Sequence, residues 1–414
     1  MLTANRHRLS SETAKPDRVH WVRRVFSRRS AQQEQPSFGS SSELEQIRLL
    51  DGGDQAYPRM LEAIVQAQHQ IYLEVYSFAI TGIGRDFVAA LAAAAGRGVE
   101  VTVVMDGWGS VLSGRAVAAE LRAAGCTVQI YHRLLALLKG RFGRTHRKLL
   151  LVDECVAFIG GINIGDENVQ RGLRPGWADL ALEIRGIHRL RLSQLLRGRP
   201  VRSVCGNLSI DISGLGGGWR MRRRYVTAFS RAEKRILLAH GYFLPDRRTI
   251  RSIIAAARRG VEVGLVLAGH SDVPLVRAAT RRLYRRLLAA GVHIYEWSGS
   301  VLHAKVATVD GHCLLIGSFN LDPFSLANRE VLVRVNEPSL VSEGEQWIQN
   351  KLSKSTAISA LQLESPLHKW IWDPIGALVA ALVEFISRLL AGRRRHKRRL
   401  RPAIEPSTAP AQKH

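Results

Sequence analysis

Cysteine is scarce here: Cys126, Cys155, Cys205 and Cys313 are the only four in 414 residues, and no two form a CxxC pair. That spacing excludes a disulfide-dense framework and offers no structural zinc site. Cys155 and Cys313 lie in apolar, strand-like runs where a thiol packs as a small core residue, and the chain reads as one for a reducing environment. Long apolar runs are missing too. No charge-free apolar stretch reaches the roughly 18 residues of a spanning helix, so none is predicted. Residues 1–30 hold no continuous apolar segment, so no secretory signal is predicted. Acidic residues are few: 35 Asp and Glu face 60 Lys and Arg, leaving a net charge of +25. The deficit points to an anionic partner without choosing among nucleic acid, an anionic membrane and a phosphorylated substrate. Apolar content is ample. At 46% it excludes a largely disordered chain and supplies cores for two domains or two similar halves.

Residues 1–42 are polar, basic and rich in Ser and Gln, and read as a disordered basic arm. From Ile47 onward, strand-like runs such as IYLEVYSFAI and VEVTVVMDG alternate with helical runs such as AYPRMLEAIVQAQ and GRDFVAALAAAAGRG. The alternation predicts an α/β sandwich with largely buried sheets. The order then recurs. AAAGRGVEVTVVMDG at 93–107 is echoed by AAARRGVEVGLVLAG at 255–269, and LRAAGCTVQIY at 121–131 by LLAAGVHIYEW at 287–297. QIYLEVYSF at 70–78 is echoed by RILLAHGYF at 235–243. Matches in one order mark a duplication, with a period far too long for a solenoid. The expected division is a first half at 43–190, an Arg- and Gly-rich linker at 191–224 and a second half at 225–352. A C-terminal amphipathic region at 353–392 and a basic tail at 393–414 follow.

One short pattern is written in both halves. THRKLLLVD at 145–153 and LHAKVATVD at 302–310 each carry His, Lys two residues on, and Asp five beyond that. On a strand, alternate residues face one way, so His146 and Lys148 are expected on one face, as are His303 and Lys305. Asp153 and Asp310 fall where a turn would end each strand and are expected to anchor it rather than touch a ligand. A second apolar strand follows each, ending in Gly160, Gly161 and Asn163 or in Gly317, Ser318 and Asn320. The small residues are expected to admit a ligand close to the backbone. Imidazole, ammonium and amide groups converging from both halves would clasp a phosphate.

HxKxxxxD followed by six residues and G[GS]xN, twice in an internal repeat, resembles the phospholipase D superfamily over residues 43–350. The resemblance implies a fold of two tandem α/β halves, mixed sheets flanked by helices and related by pseudo-twofold symmetry, with one shared active site. It implies that one His attacks phosphorus and becomes a phosphohistidine while the other protonates the leaving alcohol. Catalytic His146, Lys148, Asp153, His303, Lys305 and Asp310 follow from the motifs, with Asn163 and Asn320 as phosphate-binding amides. An acidic residue past each Asn orients the histidines in this family; in this chain those positions read as Asp179 and Glu330. By the same likeness His146 is assigned as the nucleophile. The pattern offers no carboxylate cluster, and neither metal nor other cofactor is expected.

Within the superfamily, GGIN and GSFNLDPFSLANRE most resemble bacterial cardiolipin synthases, of a short type without N-terminal membrane helices. The implied reaction joins two phosphatidylglycerols into cardiolipin and glycerol, with phosphatidylethanolamine a further substrate to consider. The implied place is peripheral, on the bacterial inner (cytoplasmic) membrane, with anionic phospholipid as partner and no nucleic acid. The oligomeric state is left open. The alternative is a phospholipase D-type phosphodiesterase hydrolysing phospholipid or nucleic acid, for which RRLYRRLLAA at 281–290 would supply a phosphate-contacting helix. The apolar segment Ile375–Leu390, preceded by Trp370 and Trp372 and followed by the cations of 393–401, suits an interfacial membrane helix. A helix on the protein's own core and a dimer contact stay open beside it. YHRLLALLKGRFGRT reads equally as a loop at the site's mouth and as a buried helix. His240 is expected to be a hydrogen-bonded core imidazole.

Overall fold

The computed structural model describes residues 46–131, 143–186 and 201–361, with single positions 374 and 381; for 201–205 it describes the backbone alone. The basic arm, most of the segment at 131–145, the apolar segment at 375–390 apart from position 381, and the basic tail lie outside the described residues.

In the first half, strands and helices alternate: β1 (Gln46–Asp51), α1 (Gly52–Gln66), β2 (Gln70–Val75), α2 (Ile83–Gly96), β3 (Glu100–Asp106), α3 (Gly114–Ala123) and β4 (Thr127–Tyr131). Three more strands complete the sheet: β5 (Leu149–Val152), β6 (Val156–Gly160) and β7 (Leu180–Arg185). Its order is β1-β7-β6-β5-β2-β3-β4, parallel through β2, β3 and β4 and antiparallel elsewhere. Gly98, at φ 89°, ends α2 in the left-handed conformation that spares glycine a Cβ clash.

The second half repeats this plan. Strands β8 (Val201–Cys205) and β9 (Leu208–Ile212) come first, followed by α4 (Gly218–Arg231), β10 (Arg235–His240), α5 (Arg247–Arg258) and β11 (Glu262–Ala268). Then come α6 (Pro274–Arg281), α7 (Tyr284–Leu288), β12 (His293–Trp297), β13 (Lys305–Val309), β14 (Cys313–Gly317), α8 (Pro323–Ala327), β15 (Val331–Val335), α9 (Pro338–Ser353) and β16 (Thr356–Ala357). The sheet runs β16-β12-β11-β10-β13-β14-β15-β9-β8.

Aligning the sheets corrects the expected linker at 191–224. β9 pairs with β15 as β1 pairs with β7, and α4 follows β9 as α1 follows β1. The second copy therefore begins at β9. The linker's Arg and Gly composition hid a strand that the neighbouring sheet edge stabilises. The stretch at 281–290 is also broken, between α6 and α7, and Arg277 and Arg281 both pair with Glu296.

The inner faces of the two sheets pack together. Leu149, Leu151, Ile159 and Leu182 of the first meet Leu237, Val306, Ile316 and Val333 of the second in one buried cluster, joined by Trp347 and Ile348 of α9. Helices α1–α3 cover the first sheet's outer face and α4, α5 and α7 the second's. The alternation of apolar side chains in and out of both faces makes these strands almost wholly buried, hence their near-continuous Val, Leu and Ile runs. Among the described residues no helix is long and apolar enough to cross a membrane.

Candidate active site

The histidine segments do not lie within strands, as their spacing suggests, but just before them. β5 starts at Leu149 and β13 at Lys305. The reason is that their backbone groups are taken by the opposite half. His146 N–H donates to Arg329 O (2.9 Å) and His303 N–H to Ala178 O (2.9 Å). Thr145 bridges Arg329, and Leu302 bridges Ala178, both in parallel sense. Two seams thus bring the motifs to one place. Each histidine there feels the ammonium of the other motif: Lys305 acts on His146, and Lys148 on His303.

The carboxylates expected to orient the histidines are exchanged between halves. Glu330 Oε2, from the second half, lies 3.1 Å from His146 Nδ1, and Ser318 O lies 3.0 Å from the same nitrogen. Asp179 Oδ2, from the first half, lies 2.5 Å from His303 Nδ1. A ring that donates from Nδ1 to such a carboxylate carries its lone pair on Nε2. The two carboxylates are not equally free. Glu330 Oε2 also accepts from Ser318 Oγ, whereas Asp179 Oδ2 serves His303 and Asp179 Oδ1 caps its own chain at Leu180 N–H.

All the site groups are buried, and burial sets their charge. His146 is lowered by burial and by Lys148, against Glu330. His303 is pushed down to about 4 by burial and by Lys305, against Asp179. Burial and Lys305 push Lys148 down to about 7, and burial lowers Lys305 as well. Burial alone would raise Asp179, yet Lys305 and His303 outweigh it and hold the carboxyl below its ordinary range. Lys148 Nζ donates to His146 O (3.0 Å) and Lys305 Nζ to His303 O, so each ammonium is anchored to its own motif. A buried cluster of basic groups of this kind gains much on receiving a phosphate anion, which favours their charged forms. Among the described residues no cluster of metal-ligating side chains occurs.

Asn163 and Asn320 stand beside the motifs, 6% and 5% exposed. Asn163 Oδ1 accepts from Ser77 N–H (3.3 Å), which turns its NH2 group outward as a donor. The small residues before them do a different job from the expected one. A Cβ on Gly161 would fall 2.2 Å from Asp179 Oδ1, and one on Gly317 2.2 Å from Val331 O. They make room for the neighbouring strand and its carboxylate. Asp153 and Asp310 sit at the far ends of β5 and β13. Asp153 accepts from the N–H groups of residues 68, 69 and 70, and Asp310 from those of 233, 234 and 235. They tie a turn to the preceding strand.

Sequence reasoning passed over the aromatic walls. Tyr76 packs edge-on to His146 with centroids 5.0 Å apart, while Trp177 and Tyr242 lie 5.4 and 5.8 Å from His303. Lys148 Nζ lies over Tyr76 and Lys305 Nζ over Tyr242. Tyr76 and Tyr242 follow equivalent strands in the echoed QIYLEVYSF and RILLAHGYF, which was the available signal. His240, expected to be hydrogen-bonded, is fully buried with neither ring nitrogen paired, and burial pushes it down to about 3.

The seams themselves differ. Behind His146, Glu74 is wholly buried between Arg147 (2.8 Å) and Arg329 (3.1 Å), with Thr145 Oγ1 donating to it. Asp106 accepts from Thr145 N–H (3.0 Å). Sheet register places Ala239, Ala268, Leu302, Ala304 and Ala178 at the equivalent positions behind His303. All five are buried and apolar. One seam is ionic and the other is hydrocarbon.

Known proteins share these features. A family profile described as cardiolipin synthase, PLD-like domain, matches residues 60–173 and 225–352. The chain is 35% identical to cardiolipin synthase B of Salmonella typhi over 305 residues, 68% of this chain and 74% of that one. It is 32% identical to cardiolipin synthase B of Escherichia coli K12 over 351 residues, 79% and 84% of the two chains. In fold it is similar to phosphatidylserine synthase of Haemophilus influenzae, with TM-score 0.63, 14% identity and coverage of 86% and 94%. A duplicated fold, exchanged histidine–carboxylate pairs and matches in both halves lead to one conclusion: the chain belongs to the cardiolipin synthase-like family of the phospholipase D superfamily and is an enzyme of that kind.

Proposed function

We propose that this enzyme transfers a phosphatidyl group between glycerols, making cardiolipin and glycerol from two phosphatidylglycerols through a phosphohistidine. The observation that supports this most directly is the pair of buried histidines, each held at Nδ1 by a carboxylate of the opposite half. His146 Nε2 attacks phosphorus, the bond to the head-group glycerol breaks, and that oxygen takes a proton from His303. The hydroxyl of a second phosphatidylglycerol then gives its proton to His303 and attacks phosphorus, releasing His146.

Assigning His146 as nucleophile rests on the unequal carboxylates. Both carboxylates favour the charged ring, but Glu330 Oε2 divides its charge between Ser318 and His146, while Asp179 Oδ2 has His303 as its hydrogen-bond partner and so favours an imidazolium there more strongly. His303 is neutral in the free site, so the incoming phosphodiester anion supplies the field that draws a proton onto it. Lys148, Lys305, Asn163 and Asn320 neutralise charge on the phosphate oxygens, and Asp153 and Asp310 brace the strands behind them. Peripheral attachment at the inner membrane follows from the lipid substrate; phosphatidylethanolamine is the second donor to try.

The test is purified protein with phosphatidylglycerol vesicles, scored for cardiolipin by mass spectrometry beside His146→Ala and His303→Ala. Cardiolipin from the parent alone is expected. Equal yields from the double variant would sink the proposal, and a trapped phosphoryl label on His303 would reverse the assignment of roles.

A further inference from the structure

The exposed apolar side chains of this enzyme are not scattered. Among the described residues, every large one except Leu361 stands in a loop, or at the start of a short helix, that follows the active-site end of a strand or site segment. After β3, the loop at 107–113 carries Trp108, Val111 and Leu112, the last 98% exposed. This loop is fastened to the site: Ser110 Oγ donates to Tyr76 O and accepts from Phe78 N–H, and Tyr76 packs on His146. Arg144, two residues before His146, lies over the Trp108 ring.

The second half presents the matching loop. After β11, Val273 and Leu275 are exposed beside Asp272, which accepts from Tyr242 Oη (2.6 Å), and Tyr242 packs on His303. Phe324 follows closely on Asn320, and Leu215 adjoins Gly216, whose N–H donates to Ala327 O. Leu173 tips a small hairpin that leads into Trp177, against His303. Single exposed apolar residues are ordinary, but such residues gathered on the connections at the active-site end of both sheets are the mark of an interaction surface. Arg115, Arg174 and Arg248 are exposed at the same end, so the ring is cationic as well as apolar.

We propose that this rim enters the acyl layer of an anionic bilayer, so that the site's mouth opens at head-group depth. The lipid then reaches the two histidines without leaving the membrane. Side chains that gain by leaving water, set among cations that gain near anionic head groups, fit a lipid surface in both respects. This inference rests on the phosphatidyl-transfer reading, because the rim is meaningful only if the substrate is held in a bilayer.

The experiment uses the full chain and two substrates: vesicles of phosphatidylglycerol and phosphatidylcholine, and monomeric dihexanoyl phosphatidylglycerol. The paired substitution Leu112→Asp with Leu275→Asp is expected to weaken vesicle flotation and vesicle turnover at least tenfold. Turnover of the monomeric lipid should stay within about twofold. Leu112→Trp, which adds apolar area without charge, should float more strongly than the parent. Vesicle binding unchanged by the paired substitution overturns the proposal. So does a change of sedimentation from dimer to monomer with vesicle binding intact, which would assign the rim to a second copy. If the paired variant loses monomeric turnover too, Leu112→Trp decides: no gain in flotation overturns the proposal. Failure of the parent itself to turn over either lipid would instead refute phosphatidyl transfer, leaving the rim's flotation result to stand or fall separately.

Discussion

At the scale of single residues, the proposed mechanism has the site withhold charge until substrate arrives. Two lysines and two histidines are buried together, and burial favours their neutral forms, so a bound phosphodiester anion repairs what burial costs. Lys148, at about 7, gives this a pH signature. A cation is needed to hold the phosphate, and the fraction protonated falls as pH rises past that value. Second-order turnover of phosphatidylglycerol should therefore decline above about pH 7, approaching about tenfold per pH unit, in initial rates from pH 6 to 9. Replacing Asp179 by Asn removes the carboxylate that holds His303 in its tautomer while keeping its size. Turnover should fall about 100- to 10,000-fold with little change in thermal stability. Legibility was highest at this scale. The eight residues repeated in the two motifs and their Asn partners could be read from spacing, whereas the crossing of Glu330 to His146 and Asp179 to His303 could not. Spacing records distance along one chain, and the crossing depends on how two sheets meet.

At the scale of elements, glycine and aspartate do structural work inside motifs that look purely chemical. Gly161 lies where any Cβ would strike Asp179, so Gly161→Ala should displace the carboxylate from His303. Activity is expected to fall at least tenfold while far-ultraviolet circular dichroism is unchanged; an unaltered rate would contradict the geometry. Asp310 accepts three backbone N–H groups and is held below the ordinary carboxylate range by them against the effect of burial. Asp310→Ala should lower stability by about 1–3 kcal/mol in urea titration. The sign with pH follows: a depressed carboxylate stabilises above its unfolded value and loses that contribution as pH falls through the folded one. Strands and helices of the echoed segments were legible because apolar periodicity decides them. β9 was not, because a short strand in an Arg- and Gly-rich stretch owes its conformation to β15 and β8 on either side of it.

At the scale of the whole molecule, the two copies have diverged where they touch. Glu74, Arg147 and Arg329 form a buried charged cluster on one seam, against alanines on the other. Breaking a buried ion pair leaves an uncompensated charge, so Arg147→Met alone should cost about 3–5 kcal/mol. Adding Glu74→Leu and Arg329→Met should recover most of that loss, because the whole cluster is then replaced by hydrocarbon as on the opposite seam. Denaturant titration of the single and triple variants checks both.

The unlike seams also constrain the history and dissection of the chain. Two first halves paired as a homodimer would set Thr145 and Arg147 against Ala178 twice over, with no Arg329 to complete either cluster. Two second halves would bury Arg329 against Leu302 and Ala304, with alanine where its carboxylate partner should stand. Neither half is its own complement. Once the copies had specialised in this way, fusion became a ratchet: cutting the chain between them yields two fragments that recognise each other and not themselves.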